Sequence, residues 1–174
     1  MAAALVEIAT AVATAFAGGY AASPRTVSLN IDVERGYVPG EDWQLDRFMD
    51  FSHISPGSKA VKVYVAADNE QDIADKSTRQ YRWIEYEVQV AIAAKPKTTD
   101  PADVDPLLLL VQDLRNYFFH ADQTTYALAG RGDEHERERA TKIETLAHPD
   151  LEKLRLDRLF HAGFVLTFEG YRLR

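Results

Sequence analysis

Residues 82–94 alternate apolar and polar for longer than an ordinary strand lasts. Ile84, Tyr86, Val88, Val90, Ile92 and Ala94 hold the even positions, and Trp83, Glu85, Glu87, Gln89, Ala91 and Ala93 the odd ones. A two-residue period places one set on each face of a sheet. The segment therefore predicts a strand with one dry face and one carboxylate-bearing solvated face, as in an antiparallel sheet covered on one side only. Trp83 falls on the solvated face. A large aromatic among glutamates points to a cover supplied from outside the chain, such as another copy of it.

The same alternation predicts strands over 26–35 (Val27, Leu29, Ile31, Val33 on one side) and 59–67 (Val61, Val63, Val65 inward, Lys62 and Tyr64 outward). It predicts two more over 140–147 and 159–171, the last with Phe160, Ala162, Phe164, Leu166 and Phe168 on one side. Helical spacing of Leu5, Ile8, Val12 and Phe16 gives an apolar stripe over 2–17, which Gly18-Gly19 brings to an end. A second helix runs to about residue 119. It follows two capping signals, Thr99-Asp100-Pro101 and Asp103-Val104-Asp105-Pro106, and its stripe is Leu107, Leu108, Val111, Leu114 and Phe118. His148-Pro149-Asp150 caps a short helical turn over 149–156. The pattern is α+β: an antiparallel sheet of about four to five strands flanked by two main helices, in one domain spanning 1–174.

Three long loops interrupt this order. Residues 36–58 are punctuated by Pro39-Gly40 and Pro56-Gly57 yet carry Tyr37, Trp43, Phe48, Met49 and Phe51. So much aromatic surface implies either a loop packed on its own core or a docking surface. Residues 68–79, with Asp68, Glu70, Asp72 and Asp75 against Lys76 and Arg79, form an overlong hairpin link expected to project as an acidic, mobile tip. Residues 120–140 include the densely charged 130–139, which cannot bury enough surface to order itself.

Composition narrows the function classes. The chain has no cysteine, which excludes disulfides and thiolate metal sites. Its formal charge of -7 argues against gripping nucleic acid through a basic footprint, though not against letting DNA slide past. Apolar runs such as 107–111 are far short of the ~20 residues of a membrane helix, so a soluble protein is expected. The alanine-rich 1–23 ends in Ala21-Ala22-Ser23 like a secretory leader, but it lacks a positive start and carries Glu7, which count against that reading.

Catalytic signatures are sparse. His53, His120, His135, His148 and His161 never fall at the three- or four-residue spacing that lets two ligands share a helix face, and His120 with Asp122 is the nearest metal candidate. No nucleophile elbow, phosphate loop or dinucleotide fingerprint occurs. Arg131-Gly132-Asp133 spells an adhesion tripeptide, which a charged loop can contain by coincidence. No catalytic residue, metal or cofactor is expected. The solvated face, Trp83, the aromatic loop and the acidic tip suit contacts between proteins better than turnover.

In this order the blocks resemble the tail terminator proteins of tailed bacteriophages, also called tail completion or head-tail joining proteins. The resemblance is carried by Leu5-Val6-Glu7-Ile8-Ala9, then Val33-Glu34-Arg35-Gly36-Tyr37-Val38-Pro39, and Val61-Lys62-Val63-Tyr64-Val65. It continues through Arg79 and Tyr86-Glu87-Val88-Gln89-Val90-Ala91-Ile92, the helix over 104–119, His148-Pro149-Asp150-Leu151, and residues 160–168. These blocks span nearly the whole chain. Loops 36–58 and 130–139 are longer than the family's usual connections.

The resemblance implies a hexameric ring that caps the tail tube, ends its polymerisation and joins the tail to the neck or connector. It also implies a channel through which DNA passes without specific binding, in a virion protein assembled in the host cytoplasm with no membrane step. A closed ring needs a heterologous interface. Trp83, Glu85, Glu87 and Tyr64 are the expected subunit interface. Asp68, Glu70, Asp72 and Asp75 are the expected acidic lining of the channel, and Tyr37, Trp43, Phe48 and Phe51 the docking loop. Rival readings are another ring of the same assembly (adaptor, stopper or tube subunit), a small enzyme using His53 and Asp50, and a monomeric ferredoxin-like binding module.

Overall fold

Ile8, Ala9, Val12 and Phe16 are fully buried at spacings of one to four residues, and this stripe makes Ala4–Thr14 a helix, α1. Its end widens into a π-helical turn, Ala15–Gly19. The structure, a computed structural model, describes residues 4–19, 29–37, 60–119 and 138–173. Its other elements are β1 (Asn30–Tyr37), β2 (Ala60–Asp72), β3 (Tyr81–Ala94), α2 (Pro101–Asn116), β4 (Arg139–Ala147), α3 (Leu151–Asp157) and β5 (Phe160–Leu173). The class is α+β.

The five strands form one sheet in the order β1-β2-β3-β5-β4. Three neighbouring pairs are antiparallel, but β1 and β2 run parallel, with Val33 beside Val63. The sheet is therefore mixed, a correction to the fully antiparallel expectation. Alternation reports which face a residue occupies and carries no information on the direction of a neighbouring strand. The strand expected from 26 begins at Asn30, and residues 26–28 lie outside the described residues.

Both main helices lie on one face. Val61, Val63 and Val65 from β2, the even residues of β3 from Ile84 to Ala94 and the even residues of β5 from Phe160 to Phe168 share one core cluster with Ile8, Val12, Leu110 and Leu114. Phe16 closes it at one end, its ring 5.7 Å from both Tyr117 and Phe118 at the end of α2, while Phe118 reaches Phe168 at 5.3 Å. On α2 the buried stripe is Leu107, Leu110 and Leu114. Leu108, expected in the stripe, is exposed, because one residue on from Leu107 it points some 100° away around the helix axis.

The second expected capping signal, 103–106, lies inside α2, with Pro106 within the helix, and Asp100 at the N-cap makes no side-chain cap hydrogen bond. Asp100 precedes α2 with Pro101 in its first turn, and Asp103 Oδ2 accepts from Thr98 N at 2.9 Å and from Thr98 Oγ1 at 2.7 Å. Asp150 caps α3 by accepting from the backbone N–H groups of Glu152 (2.9 Å) and Lys153 (3.1 Å). Those bonds hold the Asp150 carboxyl below its usual range. A depressed folded-state pKa contributes stability that is complete above the unfolded value and is lost as pH falls through the folded one. Asp150→Asn keeps the cap without that titration, so the variant's thermal midpoint should fall less steeply than the wild type's below about pH 4. Parallel melting curves between pH 3 and 7 check this, and identical acid slopes would contradict it. Arg158 ends α3 in the left-handed region, φ 52°, and its guanidinium donates to Lys97 O at 3.0 Å.

Gly170 is required by a neighbour. A Cβ at that position would stand 2.9 Å from Cγ of Glu138, itself buried just before β4. Gly170→Ala should lower stability by about 1–3 kcal/mol through overpacking. A urea midpoint unchanged from wild type would show that Glu138 can move aside.

Candidate functional site

The face of the sheet opposite the helices divides into two halves. Toward the Ala94 end of β3, Gln89, Ala91 and Ala93 are buried together with His161, Val165 and Thr167 of β5 and Tyr64 and Ala66 of β2. This corrects the expectation of a face solvated along its whole length, and it removes Tyr64 from the exposed interface set. Ala91 stands directly beside Gly163 of β5, with Ala93 on the same face of β3 and Ala66 of β2 opposite Gln89, so small residues leave room there for other chain to pack closely. Gln89 Oε1 is buried without a hydrogen-bond partner among the described residues.

Toward the Tyr81 end the face is open. Trp83, Glu85 and Glu87 are half-buried, and Glu169 and Tyr171 of β5 stand beside them through the register Trp83–Tyr171, Glu85–Glu169 and Glu87–Thr167. The rings of Trp83 and Tyr171 are 5.3 Å apart and those of Tyr81 and Tyr171 5.5 Å, so three aromatics form a continuous ladder. Lys76, from the 3-10 turn Ala74–Lys76, lies with its ammonium 5.9 Å from the Trp83 ring centre and 2.5 Å from Glu169 Oε2. Ser77 Oγ accepts from the Trp83 backbone N–H at 3.0 Å, fixing the turn against the strand. Gln71 donates to Glu85 at 2.7 Å. Lys142 of β4 pairs with Glu144 at 3.1 Å, and that hydrogen bond, with the charges of Glu85 and Glu87 behind it, raises the ammonium above its usual range.

Trp83, Glu85 and Glu87 share this face, as their alternation predicts. Tyr171 and Lys76 join them only in three dimensions, because the sequence carries no register between β3 and β5 and reads Lys76 as loop.

The acidic tip is shorter than expected. β2 continues through Asp72, with Asn69 opposite Glu87, Glu70 opposite Tyr86 and Asp72 opposite Ile84, after a bulge between Ala67 and Asn69. Half of 68–79 is thus strand, and the expectation of a projecting loop there is corrected. Asp and Glu weaken a strand reading, but the bulge leaves Asp68 as the extra residue and the ladder resumes beyond it. Asp68, Glu70 and Asp75 are exposed, whereas Asp72 is tied to Arg82 Nε at 2.5 Å.

At the sheet's other margin Lys62 pairs with both Asp32 and Glu34 of the edge strand β1, the latter at 2.7 Å. The opposite edge strand, β4, carries two register breaks, between Ala140 and Lys142 and between Thr145 and Ala147. Bulges and charges of this kind discourage edge-to-edge pairing. A groove of about 390 Å³ between α2 and β4 has a mixed lining that includes Leu108, Val111, Arg115 and His148.

Of the docking loop, Tyr37 closes β1 and Trp43, Phe48 and Phe51 lie outside the described residues, as do Asp50, His53, His120, Asp122 and 131–133. The loop 120–140 is described only from residue 138, where it gives way to β4 at Arg139. Among the described residues no helix is long and apolar enough to cross a membrane, and no three His, Asp or Glu side chains gather as metal ligands. No family model matches the chain, and no curated protein shows significant similarity to it.

Proposed function

We propose that this protein is a structural component of a phage virion, a ring-forming tail terminator that caps the tail tube and joins it to the neck or connector, with no catalytic step. The reading rests on the order of sequence blocks described above. The observation that carries it is the open half-face, where Tyr81, Trp83 and Tyr171 stand beside Glu85, Glu87 and Glu169 on strands at the middle of the sheet. Aromatic rings rimmed by charge on a rigid platform favour association between proteins. A ring closes when this patch meets a different patch on the next subunit. In such a ring Asp68, Glu70 and Asp75 line the channel and repel phosphate, keeping DNA free to pass.

Negative-stain images and sedimentation of the purified protein test the reading. Closed rings that do not stack are expected, either alone or after addition of tail tubes. Long tubes would make it a tube subunit instead. Monomers only, even with tubes present, would overturn the ring.

A further inference from the structure

Along the open half-face the aromatic ladder runs directly into carboxylates: Tyr81, Trp83 and Tyr171 first, then Glu85 and Glu169 side by side, then Glu87. A π face next to carboxylates is chemistry that recognises a cation with an apolar stem. The chain already seats one there. Lys76 reaches in from its turn, its ammonium over Trp83 and on Glu169, yet its side chain remains 51% exposed, so it covers the site without filling it. Glu87 makes no hydrogen bond or ion pair among the described residues.

The surroundings carry an excess of negative charge. Glu85, Glu87, Glu144 and Glu169 share the face with three cations, Lys76, Lys142 and Arg139, the last directly opposite Glu169 across β4 and β5. Asp68 and Asp75 stand exposed at the adjoining end of β2 and its turn. Charge of this sign draws a basic partner and repels an acidic one.

We propose that this half-face receives an arginine or lysine side chain from a partner protein segment, and that Lys76 holds the place in the free subunit. A planar guanidinium suits the site best, since it can stack on Trp83 or Tyr171 while its N–H fork meets Glu169 or Glu85. Binding then exchanges an intramolecular cation for an intermolecular one. Lys76 acts as a tethered competitor that weakens stray contacts with single basic side chains. The inference rests on reading the face as a docking surface, not on the kind of particle the protein builds.

The test titrates the full chain with a short uncharged-backbone peptide bearing two arginines, capped at both ends, into the millimolar range. The Trp83 indole N–H is followed by NMR and is identified by comparison with Trp43→Phe. Saturable shifts centred on Trp83 and Tyr171 are expected. Lys76→Met should tighten the apparent Kd by at least threefold, and adding Glu169→Gln to Lys76→Met should weaken it by at least fivefold. The same peptide with citrulline in place of arginine should not shift the indole. Failure of the arginine peptide to bind Lys76→Met, with the fold verified by circular dichroism, would overturn the proposal, as would binding indifferent to Glu169. Peptide binding by a protein that forms no ring would sink the terminator reading alone, and rings from a protein blind to the peptide would sink this one alone.

Discussion

Phe118→Ala is expected to lower the unfolding free energy by about 3–5 kcal/mol. Phe118 sits where three elements converge. It packs at 5.7 Å on Phe16 from the first helix, at 4.9 Å on Tyr117 and at 5.3 Å edge-on against Phe168 of β5. It is 2% exposed, so truncation removes nearly its whole buried ring. The neighbouring rings are held on the π-helical turn Ala15–Gly19, on the 3-10 turn Tyr117–Phe119 that follows α2 and on β5, and cannot collapse freely into the space. A cavity that fails to relax adds to the lost transfer energy. Phe118→Leu keeps most of the volume and should cost markedly less, about 1–2 kcal/mol. Urea unfolding of the three proteins with a common m-value gives the comparison. An alanine variant within 1 kcal/mol of wild type would mean that this aromatic junction is not packed as described.

The elements themselves were legible because each has one strong period. The even residues of β3 and of β5 face the helices as their alternation predicted, and Ile8, Val12 and Phe16 bury as their helical spacing predicted. Periodicity failed where a local irregularity resets it. The bulge near Asp68 lets an acidic stretch remain in the ladder. The parallel pairing of β1 with β2 depends on how the chain between them crosses over, which composition does not encode. Burial of the Gln89 end of the second face was also out of reach. Gln89, Ala91 and Ala93 read equally well as a tolerant solvated face or as a small-residue seat for a cover, and nothing local separates the two.

The site was half legible for a related reason. Trp83 declared itself by violating its own strand's pattern, an aromatic among glutamates, and such violations survive in sequence without any register. Its partners did not. Tyr171 and Glu169 meet Trp83 and Glu85 only through the pairing of β3 with β5, 88 and 84 residues further along the chain. Lys76 arrives through the geometry of one short turn.

Trp83→Asp should abolish or strongly weaken ring formation while leaving the subunit folded. Two features separate this residue from the core. Its side chain is half-buried on the face away from the helices, and its ring contacts are Tyr171 and the ammonium of Lys76, both on that same face. Losing them costs the isolated subunit about 0.5–1.5 kcal/mol. In an assembled interface the same ring is desolvated on its remaining side, where truncation of an anchoring aromatic costs ~2 kcal/mol or more per contact, and an introduced carboxylate adds repulsion from Glu85 and Glu169. The proposed ring has one such contact per subunit, so the loss would multiply around the circle and prevent closure. Val88→Asp supplies the opposite control, because Val88 lies fully buried on the helix face of the same strand and a charge there should unfold the subunit. Circular dichroism with sedimentation on both variants decides the matter. A folded, monomeric Trp83→Asp beside an unfolded Val88→Asp is the expected pair, whereas an unfolded Trp83→Asp would place Trp83 in the core, and rings of normal size would remove it from the interface.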